Sequence, residues 1–312
     1  MGTEGPLKVV PRNQFQSGIP FRRAKIISAV GATAILAFHA VPHLFPQINR
    51  NAFELKVKSE VPQIINDIYK ETCERMGISS YSDKDLFINN GFLTVSAGSF
   101  LLPNKVVIGL PRSFLIKDVE TLRKSKVQFD TIEVDWDSNC GRALEKSLLV
   151  KNDHVAFAIA HELAHINNFD FVYRALLPAA WLFGTFRAVI WILPRAQNAP
   201  TKGFKVFLSV LLAGFSFASY NGLSKILKQK QELRADEQAA KCGVRYCNGG
   251  ISYLKSHLRV NRVIRHLTGV AGIQRYTEKG DDLQNPTHPL LTERIQRLQD
   301  IKRKLYTEKN DK

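Results

Sequence analysis

Three long apolar segments interrupt an otherwise polar chain. Residues 26–45 are about long enough to cross a bilayer hydrocarbon core of ~30 Å, provided that the polar end of the segment reaches the interface. Residues 175–194 and 206–220 follow as a closely spaced pair joined by a short basic loop, which predicts a helical hairpin in the membrane. The alternatives are a signal anchor or buried helix for the first segment, and a buried helical pair for the hairpin.

This pattern divides the chain into five parts. We predict a basic flexible leader at 1–25, a transmembrane segment at 26–45 and a hydrophobic helical hairpin at 175–222. Two polar parts, 51–174 and 223–312, lie on either side of the hairpin. They are expected to be the two parts of one folded domain.

Within the polar parts, helical and alternating apolar periodicities predict an α+β fold that is mostly helical with a small sheet. The predicted strands cover 85–96 and 105–110. The predicted helices cover 53–76, 117–126, 139–149, 155–169, 229–242 and 292–306. Strand 105–110 has two interpretations, an edge strand that holds an extended peptide or an ordinary core strand.

The surplus of basic residues indicates that the chain has a negatively charged partner. Lys and Arg number 44 against 28 Asp and Glu, which gives a formal charge of +16. Such a charge favours nucleic acid, an anionic membrane surface or an acidic partner. No nucleic-acid-binding signature accompanies it, so the apolar segments favour the lipid bilayer over nucleic acid.

Candidate chemistry is concentrated in the predicted helix 155–169. His161 and His165 lie four residues apart, and therefore on one face of a helix, where they can share a metal ion. Glu162 lies one step round the helix, placed to act as general base on a metal-bound water. This His-Glu-x-x-His pattern is the zinc-peptidase signature. The alternative is a core helix with two incidental histidines.

A third ligand is needed, because catalytic zinc usually takes three protein ligands and a water. Glu232 and Asp236 also lie four apart on a predicted helix, after the hairpin. One carboxylate can bind the metal while the other orients a ligand. Taken alone, two carboxylates at this spacing are usually a solvated helix face.

Together with Thr287-His288-Pro289 and Arg294, these motifs resemble the integral-membrane zinc metallopeptidases that include HtpX, the CAAX prenyl proteases and the mitochondrial Oma protease. The resemblance implies a gluzincin-type zincin fold. It also implies one Zn²⁺ held by His161, His165 and Glu232, with Asp236 in a supporting role. Glu162 would then be the catalytic base, with His288 and Arg294 beside the reacting carbonyl.

The function implied is a membrane-bound zinc metalloendopeptidase that hydrolyses membrane or misfolded proteins. Its partners would be protein or peptide substrates and the bilayer, with a homo-oligomer left open. The expected location is an integral membrane protein, with the mitochondrial inner membrane favoured over a bacterial or endoplasmic-reticulum membrane. The alternative is a catalytically silent, zinc-containing membrane scaffold or regulator.

Overall fold

A computed structural model describes most of the chain. The described residues are 19–54, 60–91, 93–102, 106–125, 127–129, 132–195 and 202–307. Most of the predicted basic leader, residues 1–18, lies outside them, as do residues 196–201 of the hairpin loop. The prediction of a mostly helical chain with a small sheet is confirmed.

The helices and strands follow one another in this order along the described chain: α1 Ile19–Leu44, α2 Gln47–Phe53, α3 Gln63–Arg75, β1 Leu86–Asn89, β2 Val95–Gly98, β3 Val106–Pro111, α4 Val119–Lys124, β4 Gln128–Phe129, β5 Ile132–Glu133, α5 Asn139–Leu148, α6 Asn152–Asn167, α7 Asp170–Arg195, α8 Lys202–Lys241, α9 Val244–Leu267, α10 Val270–Arg275 and α11 Leu291–Lys302.

Three of these helices are long and apolar enough to cross a membrane. They contain the candidate spans Lys25–Leu44, Asp170–Ile192 and Val206–Lys241. α1 packs along α7, and α7 and α8 form the predicted hairpin. A polar contact ties the hairpin together, because the indole nitrogen of Trp181 donates to the Ser216 carbonyl at 3.0 Å. The division of the chain into five parts stays a prediction.

The small sheet has the order β1-β3-β2, with β1 parallel and β2 antiparallel to β3. All six residues of β3 are buried, because apolar side chains pack against both of its faces. β3 is the central strand, which agrees with the interpretation of 105–110 as a core strand, and β1 and β2 form the two edges of the sheet. β4 and β5 form a separate two-stranded pair.

Helix α6 lies at the centre of the hydrophobic core. Twelve of its residues are buried, among them Val155, Phe157 and Ile159. α3, α8 and α9 all pack against it. An apolar helix with partners on every side positions its few polar side chains rigidly. A tight turn follows α6, in which Phe169 has a positive φ of 54°, and α7 begins at the next residue.

Three predicted elements differ from the structure. The predicted strand 85–96 is instead two strands, β1 and β2, which pair with opposite edges of β3. The predicted helix 53–76 is interrupted and resumes as α3 after Pro62, since proline disfavours helical backbone at the residue before it. The predicted helix 229–242 is the polar end of the 40-residue α8, which continues without a break out of the hairpin. Helix α9 was not predicted.

Candidate metal centre

Three potential metal ligands meet between α6 and α8. His161 and His165 project from one face of α6, and Glu232 faces them from α8. The two imidazole Nε2 atoms lie 3.1 Å apart. His161 Nε2 lies 3.4 Å from Oε2 of Glu232, and His165 Nε2 lies 3.4 Å from Oε1 of the same carboxylate. Among the described residues, these three form a group whose ligand atoms all lie within 4.8 Å of one another.

These separations fit a tetrahedral zinc ion. With zinc–ligand bonds of roughly 2.0–2.1 Å, neighbouring ligand atoms of a tetrahedral site lie about 3.3 Å apart. The separation of 3.1 Å between the two Nε2 atoms is close to that value, and so are the two separations of 3.4 Å, one to each Glu232 oxygen. Two imidazole nitrogens and one carboxylate oxygen also form a common zinc donor set. The residues therefore fit the ion in both chemistry and spacing.

Each imidazole is oriented by a carboxylate on its other nitrogen. His161 Nδ1 lies 2.9 Å from Asp236, and His165 Nδ1 lies 2.7 Å from Asp170. A proton on each Nδ1, donated to the carboxylate, leaves the Nε2 lone pair directed at the shared position. Metal-binding histidines almost always have such a partner. Asp236 was predicted for this role from its helical spacing, and Asp170 was not predicted.

Arg294 binds Asp236 rather than the ligand cluster itself. Its Nε and Nη2 each lie 2.7 Å from a different carboxylate oxygen of Asp236, a bidentate ion pair. Its third nitrogen, Nη1, stands 3.9 Å from Glu232. Arg294 thus holds Asp236 in place, and Asp236 in turn orients the His161 ring. His288 lies at the border of the site, with Nδ1 4.0 Å from Glu232.

Both carboxylate oxygens of Glu162 accept hydrogen bonds from the edge strand and the residue before it. Thr94 donates to one oxygen and Ser96 to the other, each at 2.6 Å. Glu162 is 8% exposed, so these hydroxyls satisfy a buried charge. The contacts tie α6 to β2. Neither Thr94 nor Ser96 was predicted as a partner of Glu162.

The imidazoles are held in a setting that favours positive charge. Burial alone would lower the pKa of His161, but hydrogen bonds and charge from Asp236 and Glu232 outweigh burial and raise that pKa to about 10. The pKa of His165 is also raised, because hydrogen bonds from Asp170 and Glu232 outweigh its burial. The buried carboxylates therefore favour positive charge at this position, which either a proton or a metal ion would supply.

A cavity of about 410 Å³ opens beside the three ligands. Residues of α1, β2, α6 and α9 contribute to its wall, among them His43, Ser96 and His257. His43 reaches it from the first candidate span, where its Nδ1 accepts a bond of 3.4 Å from the Gly98 amide. The edge strand and the first membrane helix therefore meet at the cavity.

A sequence profile of the Transmembrane protein 177 family matches residues 50–310. The chain belongs to this family. It is 25% identical over 262 residues to Transmembrane protein 177 of Danio rerio, covering 81% of the chain and 84% of that protein. It is 27% identical to the Homo sapiens protein over 222 residues, covering 71% of each. No solved structure matches the chain.

These comparisons correct two expectations. The chain is not a member of the HtpX, CAAX protease and Oma peptidase group, because its match over residues 50–310 is to another family. The expectation of a zinc metalloendopeptidase is also wrong, since its relatives are named as transmembrane proteins and their names indicate no peptidase. Three short motifs are compatible with more than one family, whereas the profile match extends over most of the chain.

The expected integral membrane location is confirmed. The family is named for a transmembrane protein, and three described helices are long and apolar enough to span a bilayer. Contact with lipid follows for those helices. The mitochondrial inner membrane stays a prediction.

Proposed function

We propose that the chain is a catalytically silent membrane scaffold or regulator whose polar domain is stabilised by one zinc ion. His161, His165 and Glu232 would hold the ion, with Asp236 and Asp170 orienting the imidazoles. The observation that carries the proposal is the set of three ligand separations between 3.1 and 3.4 Å. When bound, zinc would supply a strong cross-link between two helices.

The position of these ligands supports a structural role for the zinc ion. α6 is the centre of the core, and α8 continues directly from the membrane hairpin. A zinc ion shared by His161 and Glu232 would therefore fasten the folded core to a membrane helix. The free energy of binding a metal to ligands on two helices would add to the free energy of folding.

Glu162 has a structural use that does not require catalysis. A structural metal site needs no general base, so the presence of this residue was an argument for an enzyme. Its hydrogen bonds from Thr94 and Ser96 give it another task, which is to hold the edge strand β2 against α6. The zincin fold predicted from the sequence gains no support from solved structures, and the proposal does not depend on it.

A scaffold or regulator acts by binding another protein. In this proposal the protein partners predicted from the sequence are bound and not cleaved. The cavity beside β2 is the candidate contact, because an open strand edge and a recess lie together there. A homo-oligomer and the mitochondrial inner membrane remain predictions within the same proposal.

Metal analysis of the purified full-length protein tests the proposal. We expect about one zinc per chain, lost in Glu232→Ala and retained in Glu162→Gln, since only the first substitution removes a ligand. Chelation should lower the melting temperature of the parent protein and leave that of Glu232→Ala unchanged. Full zinc content in Glu232→Ala, or chelator-sensitive cleavage of casein that Glu162→Gln abolishes, would contradict the proposal.

A further inference from the structure

The turn after α9 forms an exposed surface that the metal centre does not use. We call residues 268–275, which contain α10, the α10 tip. Val270 is 73% exposed and Ile273 54% exposed, and Leu283 nearby is 55% exposed. Between residues 255 and 279 the chain carries six Lys and Arg against one Glu. Exposed apolar side chains among cations are typical of segments that lie in a bilayer interface.

The direction of α8 shows where the bilayer lies relative to α6. α8 leaves the hairpin and runs into the polar domain, ending at Lys241. Asp236 of α8 contacts His161, and Glu232, one turn nearer the hairpin, faces His165. The two helices are therefore antiparallel here, and α6 runs toward the bilayer.

Helix α9 runs in the same direction as α6. Near its start, Arg245 donates to Asp153 at 2.7 Å, close to the start of α6. Twelve residues later, His257 lines the cavity together with His161. The second contact lies closer than the first to the C-terminal end of both helices, so α9 is parallel to α6. α9 therefore also runs toward the bilayer, and its C-terminal end is closer to the bilayer than its N-terminal end.

The distance from the metal centre to the α10 tip along α9 equals the distance from the metal centre to the membrane end of α8. From Asp236 back to Ile226 is ten residues of α8, about 15 Å, and this ends a few residues beyond the apolar stretch 206–220. From His257 forward to Leu267 is also ten residues, again about 15 Å. The α10 tip follows directly after Leu267.

A hydrogen bond independently supports the position of the α10 tip at the membrane surface. Gln229 of α8 donates to the Pro286 carbonyl at 3.1 Å, so the loop that follows the α10 tip is held beside the membrane-proximal part of α8. A recess of about 310 Å³ beside the second half of α9 is bordered by Lys255, Arg259, Arg262 and Lys279. Basic side chains thus lie on and beside the part of α9 that precedes the tip.

We propose that the α10 tip rests in the interface of the bilayer that the chain itself spans. Val270 and Ile273 insert among the acyl chains, and Arg262 and Lys279 contact anionic phospholipid headgroups. Long basic side chains can extend along such a surface while keeping their charge at the headgroups. The polar domain is then attached to the membrane at the tip as well as through its helices, which fixes its orientation.

Fluorescence quenching in reconstituted full-length protein tests this contact. Val270→Cys carries an environment-sensitive dye, in a background in which Cys140 is Ser and the other three cysteines are buried. Vesicles contain phosphatidylcholine alone or with phosphatidylglycerol, each with a nitroxide-labelled lipid as quencher. Val244→Cys is the matched control, because Val244 begins α9, at the end of that helix opposite to the tip, and is 47% exposed.

We expect lipid quenching at residue 270 to exceed that at residue 244 several-fold in vesicles with phosphatidylglycerol. The difference should shrink in phosphatidylcholine alone and in the double variant Arg262→Gln, Lys279→Gln. Equal quenching at the two positions would overturn the proposal. A dye at residue 270 that reports an apolar setting without lipid quenching would also overturn it, since a second protein chain would then cover the tip.

Discussion

The ion pair between Arg294 and Asp236 offers the sharpest test of how the candidate metal centre is supported. The Arg294 side chain is 12% exposed and that of Asp236 only 2% exposed. Replacing Arg294 with Met keeps much of the volume but leaves a buried carboxylate whose remaining partner is His161. Breaking a buried pair from one side typically costs about 3–5 kcal/mol.

The same helix supplies a matched control. Arg297 pairs with Glu237 at 3.6 Å, and the side chains are 48% and 36% exposed. Arg297→Met should therefore cost only about 0–1 kcal/mol, as is usual for surface pairs. The two substitutions remove the same charge from α11, three residues apart, so the overall charge of the protein cannot explain a difference between them.

The assay is thermal unfolding of the full-length protein in detergent, with chelator present so that metal binding does not contribute. For a polar domain of this size each kcal/mol moves the melting temperature by roughly 2–4 °C, so Arg294→Met should lower it by about 6–20 °C. Arg297→Met should lower it by at most about 4 °C. Equal shifts for the two variants would refute the inference that Asp236 depends on a buried partner.

Three further predictions concern separate features. Asp170→Asn should weaken zinc binding by about 10–100-fold in chelator competition, because it removes the carboxylate that orients the His165 ring, and unchanged affinity would contradict that role. Gly250→Ala should destabilise by about 1–3 kcal/mol, because an added Cβ would lie 2.5 Å from the Phe157 ring, whereas Gly222→Ala on open α8 should not lower the melting temperature. Burial, with the charge of nearby Lys151, lowers the pKa of His154 from 6.5 to about 4, so stability present above pH 6.5 should be lost as the pH falls toward 4. His154→Gln should flatten this loss in a series of pH-dependent melts, and an unchanged slope would exclude His154 as its source.

The approach of His161 to His165 was predictable because helical spacing alone brings the two side chains together. Residues four apart share a helix face, which applies to His161 and His165 on α6. The partners that come from other elements were not predictable. Thr94 belongs to a short segment before β2, and its approach to Glu162 depends on how the sheet packs against α6. Asp170 was nearer in sequence, five residues after His165, but its position depends on the turn at Phe169.

The missed helix α9 shows how packing can override local signals. Asn248-Gly249-Gly250 is typical of a turn, and glycine disfavours helix interiors. In the structure these glycines allow close contact with α6, where Gly249 lies against the backbone of Asp153. Long-range contacts of this kind leave no periodic trace in the sequence.

Family membership could not be predicted from the motifs, for a related reason. His161, Glu162, His165 and Glu232 are a small set of side chains whose spacing suits any helical metal site, enzymatic or not. The identity of the family is distributed over residues 50–310. The chemistry of the site and the ancestry of the chain therefore have to be established separately.

X-ray absorption at the zinc edge of the purified full-length protein tests the central claim most directly. The account predicts a bound zinc whose first shell consists of nitrogen and oxygen at about 2.0–2.2 Å, with two imidazole contributions and no sulfur. Loss of that imidazole signal together with the zinc in His165→Ala would agree with the ligand set. A protein that contains no zinc, or a first shell dominated by sulfur at about 2.3 Å, would contradict it.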